Sequence, residues 1–153
     1  MKIGPWRLAL ERFVIPELPG RWWVGRSGAL VREPADWLLC AVAPWTGRTP
    51  GANALVQLLA APFGHLNLNL SQRLGDRRPE LFELAEAPRT AAECEPYGAL
   101  LLRLIREDAL PLFERHGTLE GYLAYLESRV GDLADRTGQG WLDINVDEAR
   151  CDS

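Results

Sequence analysis

The segment His65-Leu66-Asn67-Leu68-Asn69-Leu70-Ser71-Gln72-Arg73-Leu74 interleaves leucine with polar side chains. Leu66, Leu68, Leu70 and Leu74 fall on one side of an extended chain. His65, Asn67, Asn69, Ser71 and Arg73 fall on the other. Successive side chains of a strand point to opposite faces, so this period of two predicts a half-buried β-strand, leucines inward.

The neighbouring sequence supplies further strands. Trp37 to Ala43 is a short, continuous apolar run bounded by Pro34 and Pro44, as expected of a central strand covered on both faces. Before it, Arg21 to Val24 and Ala29 to Arg32 flank Gly25-Arg26-Ser27-Gly28, which predicts a hairpin. Leu55 to Ala60, ending at Pro62, reads as another strand, with helix almost as well suited to its alanines and leucines. At the start of the chain, Trp6, Leu10, Phe13 and Val14 share one helical face, with Pro5 in the first turn and Pro16 as a stop.

Beyond residue 75 the period changes to that of helices. Pro79 to Glu86 is a short one. Thr90-Ala91-Ala92-Glu93 has the form of a capping box, with Pro96 as a competing start. An apolar stripe of Tyr97, Leu100, Leu101, Leu104 and Ile105 follows, and Pro111 predicts a break near Leu110. Thr118 caps the next helix, whose stripe is Leu119, Tyr122, Leu123, Leu126, Val130 and Leu133. Gly138 and Gly140 close it, Trp141 to Val146 alternates as a last strand, and 148–153 form a polar tail. Strands mostly in the first half and helices mostly in the second predict an α+β fold, an antiparallel sheet packed against helices. We read residues 1–153 as one domain, a length that buries a substantial core without disulfides.

Composition narrows the function classes. The apolar fraction is 47% and the charged fraction 25%, ordinary for a folded chain. A net charge of -4 argues against a general nucleic-acid binder and suits a basic partner surface. Cys40, Cys94 and Cys151 are widely spaced with no CxxC pair, so neither a zinc site nor a dithiol redox site is signalled. Glu11 and Arg12 interrupt the N-terminal apolar residues, and no run approaches a membrane span. The expected setting is the reducing cytoplasm.

The search for chemistry finds no catalytic constellation, and the reading leans against an enzyme. His116 sits at a helix C-terminus, where it complements the dipole. Ser27 lacks the second glycine of a nucleophile elbow. Asp143-Ile144-Asn145-Val146-Asp147 opens like a calcium loop, but Glu148 replaces the required glycine. Gly138-Gln139-Gly140 has no strand-turn-helix context, and there is no P-loop. No cofactor or metal is predicted.

What remains is surface. Asn and Arg present forked hydrogen-bonding groups suited to specific recognition. The candidate partner-binding residues are therefore His65, Asn67, Asn69 and Arg73 on the strand, with Trp45 and Arg48 in a Gly-, Thr- and Pro-rich loop placed near a sheet end. A Trp beside an Arg is a common interface anchor.

Four elements in order carry a resemblance: the Arg-bearing Leu30-Val31-Arg32-Glu33-Pro34, the apolar Trp37 to Ala43, Val56-Gln57-Leu58-Leu59-Ala60-Ala61-Pro62, and His65 to Leu74 with its Arg-Leu end. Residues 20–75 thereby resemble a group of small bacterial domains of unknown function. Similar small acidic domains serve as immunity proteins against toxins delivered between bacteria. The resemblance implies a cytoplasmic, non-catalytic protein whose partner is another protein, a toxin, with neither nucleic acid nor membrane involved. It brings no catalytic residues with it. The alternatives are a small enzyme or small-molecule binder with a pocket beside Arg32, His65 or Arg73, and a structural subunit of a larger assembly.

Overall fold

A computed structural model describes residues 3–35, 38–45, 54–60, 70–75 and 87–137. The fold is α+β: a five-stranded antiparallel sheet from the first half packs one face against the described helices.

Helix α1 (Ile3–Ala9) buries Trp6 and Ala9. It widens into a π-helical turn over Leu10–Val14, which buries Leu10 and Val14, and closes with a 3-10 turn over Ile15–Glu17. Pro16 ends the element, because proline has no N–H to continue it. Buried Trp6 donates its indole N–H to the Gly28 carbonyl at 2.8 Å, tying α1 to the first hairpin. That hairpin pairs β1 (Trp22–Val24) with β2 (Leu30–Arg32). The Gly25 N–H closes its turn on the Ala29 carbonyl at 2.8 Å, and Gly28 takes a φ of +85° that side-chain-bearing residues avoid.

β3 (Leu38–Pro44) and β4 (Ala54–Ala60) pair along their whole lengths, from Leu38 opposite Ala60 to Pro44 opposite Ala54. This pairing settles 55–60 as strand. Local composition left helix open there, and tertiary pairing decides. β5 (Leu70–Arg73) pairs with β4, Leu58 opposite Leu70 and Leu55 opposite Arg73. The order β1-β2-β3-β4-β5 is a simple meander, so each strand lies beside its neighbour in sequence. The strand expected over His65 to Leu74 is observed from Leu70; residues 61–69 lie outside the described residues. So do the short helix expected over 79–86, the last strand over 141–146 and the tail 148–153.

The second half enters through a 3-10 turn (Ala91–Glu93) into α2 (Cys94–Leu104). The expected capping box is displaced by one residue. The Glu93 carboxylate accepts the Arg89 N–H at 2.7 Å, whereas Thr90 makes no side-chain cap. The buried face of α2 is Tyr97, Gly98, Leu101 and Leu104. The break expected at Pro111 is instead a π-helical turn over Ile105–Ala109, and helix resumes as α3 (Leu110–His116) with Pro111 in its first turn. The wider turn removes the carbonyl that the proline ring would otherwise strike, so the axis continues. Thr118 caps α4 (Leu119–Thr137), its hydroxyl accepting the Gly121 N–H at 3.1 Å.

The core joins the inward residues of the sheet to both helical segments. Leu30, Leu38, Cys40, Val42, Val56, Leu58 and Leu70 meet Trp6, Leu10, Tyr97, Leu101, Leu104, Phe113 and Tyr122. Where α1 and its π turn cross α2, Gly98 lies against Phe13. Nearby, the Cys94 thiol reaches the Pro5 carbonyl at 3.2 Å.

Candidate functional site

Strand alternation divides the sheet into two faces. Leu38, Cys40 and Val42 on β3 join the core under the helices, which leaves Leu39, Ala41 and Ala43 on the opposite face. Register then places Val31, Leu55, Gln57, Leu59, Ser71 and Arg73 on that opposite face too. On β1, Trp22 packs into the core, and its neighbour Trp23 turns to the far side with 43% of its surface exposed.

This far face is not the polar, solvated surface that the β5 alternation predicts. Ser71 is exposed and Arg73 half-buried, but β2, β3 and β4 bring Val31, Leu39, Ala41, Leu55 and Leu59 beside them. Val31 and Ala41 are only 3% and 1% exposed although they stand outside the core cluster. The pattern of β5 reports its own strand alone. The uninterrupted apolar run of β3 carries the opposite message, a strand covered on both sides, and the burial of β3 agrees with it.

The structure brings two of the six predicted site residues together. Trp45 follows the last residue of β3, and Arg73 ends β5, with β4 between them. The Arg73 side chain crosses β4 on the far face and sets its guanidinium carbon 4.3 Å from the centre of the Trp45 ring. A guanidinium over an indole is a favourable cation–π arrangement. Both residues are half-buried. Arg48, His65, Asn67 and Asn69 lie outside the described residues. Trp23 is the residue that the sequence search passed over. The signal was available: in Trp22-Trp23, adjacent strand positions cannot both face the core.

The helix-facing side holds a cation. Arg32 shares the parity of Leu30, and its guanidinium carbon lies 5.4 Å from the centre of the buried Phe113 ring. Its Nη2 is 3.9 Å from the Cys40 sulfur. Burial pushes the Cys40 thiol pKa up, and the neighbouring Arg32 charge only partly offsets this, so the thiol stays protonated at neutral pH. His116 ends α3 as the sequence implies. Its Nδ1 lies 3.3 Å from the Gly121 carbonyl, and its ring centre 5.1 Å from that of Tyr125.

An open groove of about 580 Å³ runs between 16–19 and 106–114, floored by Leu18, Leu110, Pro16 and Pro111 and rimmed by Glu17, Arg106 and Glu114. Arg106 is tied across it, donating to the Glu17 carbonyl at 2.8 Å. Among the described residues no cluster of His, Cys, Asp or Glu has the makings of a metal site. Nor is any described helix long and apolar enough to cross a membrane.

Compared with known proteins, the chain matches no family model, no curated protein and no solved structure. Function must therefore be argued from the faces of the sheet.

Proposed function

We propose that this chain is a non-catalytic protein-binding domain that docks a partner at the β1 end of the sheet, where Trp23 is exposed. In this reading it is an immunity-like protein of a bacterial cytoplasm, and it neutralises a toxin by covering the toxin's working surface. The observation that carries the reading is Trp23, 43% exposed on the face where the half-buried Arg73 and Trp45 stack. Tryptophan and arginine are the residues that most often carry binding energy at interfaces, because they bury large areas at small entropic cost. The net charge of -4 favours encounter with a basic partner and hastens association at low salt. Cys40 and Cys94 are buried free thiols, compatible with a reducing compartment.

The test is co-expression with the protein encoded beside it, followed by size-exclusion chromatography with light scattering. The expected result is a stoichiometric complex that loses at least tenfold in affinity on Trp23→Ala or Trp45→Ala, a loss of about 1.4 kcal/mol. A complex indifferent to both substitutions would remove this face from the reading. Failure of the neighbouring protein to bind at all would remove the immunity role.

A further inference from the structure

Several arginines of the molecule face a carboxylate. Arg7 faces Glu11 at 3.9 Å, Arg21 faces Glu33 at 3.4 Å, Arg103 faces Glu107 at 3.0 Å and Arg106 faces Glu17 at 3.8 Å. Arg32 is half-buried, yet among the described residues no carboxylate lies within 4.0 Å of it. Its contacts are the face of Phe113 and the sulfur of Cys40, a neutral thiol and a weak acceptor. A guanidinium carries five N–H donors in a fixed fork, so these contacts use little of its capacity.

The surroundings hold that fork in place and leave it part-exposed. Trp22, its cross-strand partner, packs with its ring centre 6.2 Å from that of Phe113, so both aromatic walls are fixed in the core. At the junction of α3 and α4 stands Gly117. A Cβ on this residue would strike the Phe113 carbonyl oxygen and sit 3.1 Å from Arg32 Nη2, so the helix junction walls this side of the guanidinium. The cation is thus positioned by packing and not by an opposite charge of the chain, in a protein whose overall charge is negative.

We infer that Arg32 anchors an oxyanion-binding site on the helix-facing edge of β2, taking a carboxylate or phosphate group of a small ligand. Either group offers two oxygens at the spacing of two guanidinium N–H groups, and such bidentate pairs are shorter and stronger than neutral hydrogen bonds. The Phe113 ring occupies one face of the guanidinium plane, which directs the ligand to its edge. The site lies on the opposite side of the sheet from Trp23 and Trp45, so it stands or falls separately from the docking surface.

The test is a titration of the protein with inorganic phosphate and, in a second arm, acetate, at constant ionic strength set with chloride. The side-chain Nε–H resonances of the arginines are followed by NMR. A saturable shift of the Arg32 signal and of the neighbouring Gly117 backbone amide with either anion, the amide shift being lost in Arg32→Gln and giving the affinity of each variant, supports the site, and the arm that saturates at lower concentration names the ligand class. Arg32→Lys keeps the charge but not the fork, and should bind about tenfold more weakly. Should Arg32→Gln fail to fold, the lysine variant decides. An unchanged affinity in Arg32→Lys, or a linear shift with both anions in the native protein, overturns the proposal.

Discussion

Arg73 ends β5 and Trp45 follows β3, strands that do not pair with each other, yet the two side chains stack at 4.3 Å across the intervening β4. The contact therefore fastens the loop end of β3 to the edge strand. A half-buried cation–π pair contributes about 1 kcal/mol. In a double-mutant cycle of Trp45→Leu and Arg73→Met, read by urea unfolding, we expect a coupling energy of that size. A coupling indistinguishable from zero would mean that the two side chains are merely adjacent.

Two glycines should respond oppositely to alanine. At Gly98 a Cβ would come within 2.6 Å of the Phe13 Cβ, so Gly98→Ala must force α1 and α2 apart. Overpacking of this kind costs about 1–3 kcal/mol. Nothing lies within 4 Å of a Cβ at Gly4, so Gly4→Ala should be neutral or stabilising by up to about 1 kcal/mol. Thermal melts of the two variants, shifted in opposite directions, are the expected outcome. A common direction would show that the helix crossing is looser than described.

Thr118→Ala should remove about 1 kcal/mol. The hydroxyl accepts the Gly121 N–H at 3.1 Å, and alanine would leave that donor to water. Thr118→Ser should retain most of the stability. If serine is as damaging as alanine, the methyl group, and not the cap, is what matters.

Stability should decline in alkali. Burial raises Tyr97 and Tyr122 above the ordinary tyrosine value of 10.0, and Cys40 above the thiol value of 9.0. The folded chain thus holds these protons more tightly than the unfolded chain. The unfolded state loses protons first as pH rises, which favours unfolding. The contribution is complete below about pH 9 and falls above it, at up to about 1.4 kcal/mol per pH unit for each group. Urea midpoints measured from pH 7 to 11 should be level at first and then drop, with a shallower drop in Tyr97→Phe. A midpoint at pH 11 equal to that at pH 8 would contradict the burial of both phenols.

Much of this architecture could be read from local pattern, and the exceptions have identifiable causes. The hairpin was legible in its glycines, and β3 in its unbroken apolar run, because both signals are complete within a few residues. Residues 55–60 were ambiguous because Ala and Leu suit either element; only the register against β3 makes them extended. The site was partly legible. Trp45 and Arg73 could each be singled out by residue type, but their stacking depends on the strand order, which no single segment encodes. The alternation of β5 describes its own strand, and the apolar residues that β2, β3 and β4 add to the far face follow from their own sequences and the register.

The two π-helical turns, at Leu10–Val14 and Ile105–Ala109, each stand two residues before a proline, Pro16 and Pro111. In the second, the buried positions Tyr97, Leu101, Ile105, Ala109 and Phe113 recur every four residues, a spacing that a helix of about 3.6 residues per turn cannot keep on one side. The wide turn works as a gear change, absorbing the accumulated lag so that Phe113 still reaches Trp22 and Arg32. Deleting a single residue between 105 and 109 would restore ordinary winding and leave Phe113 in phase, whereas imposing ordinary winding on the intact segment would rotate everything downstream by about a quarter of a revolution and withdraw Phe113 from beneath the Arg32 guanidinium.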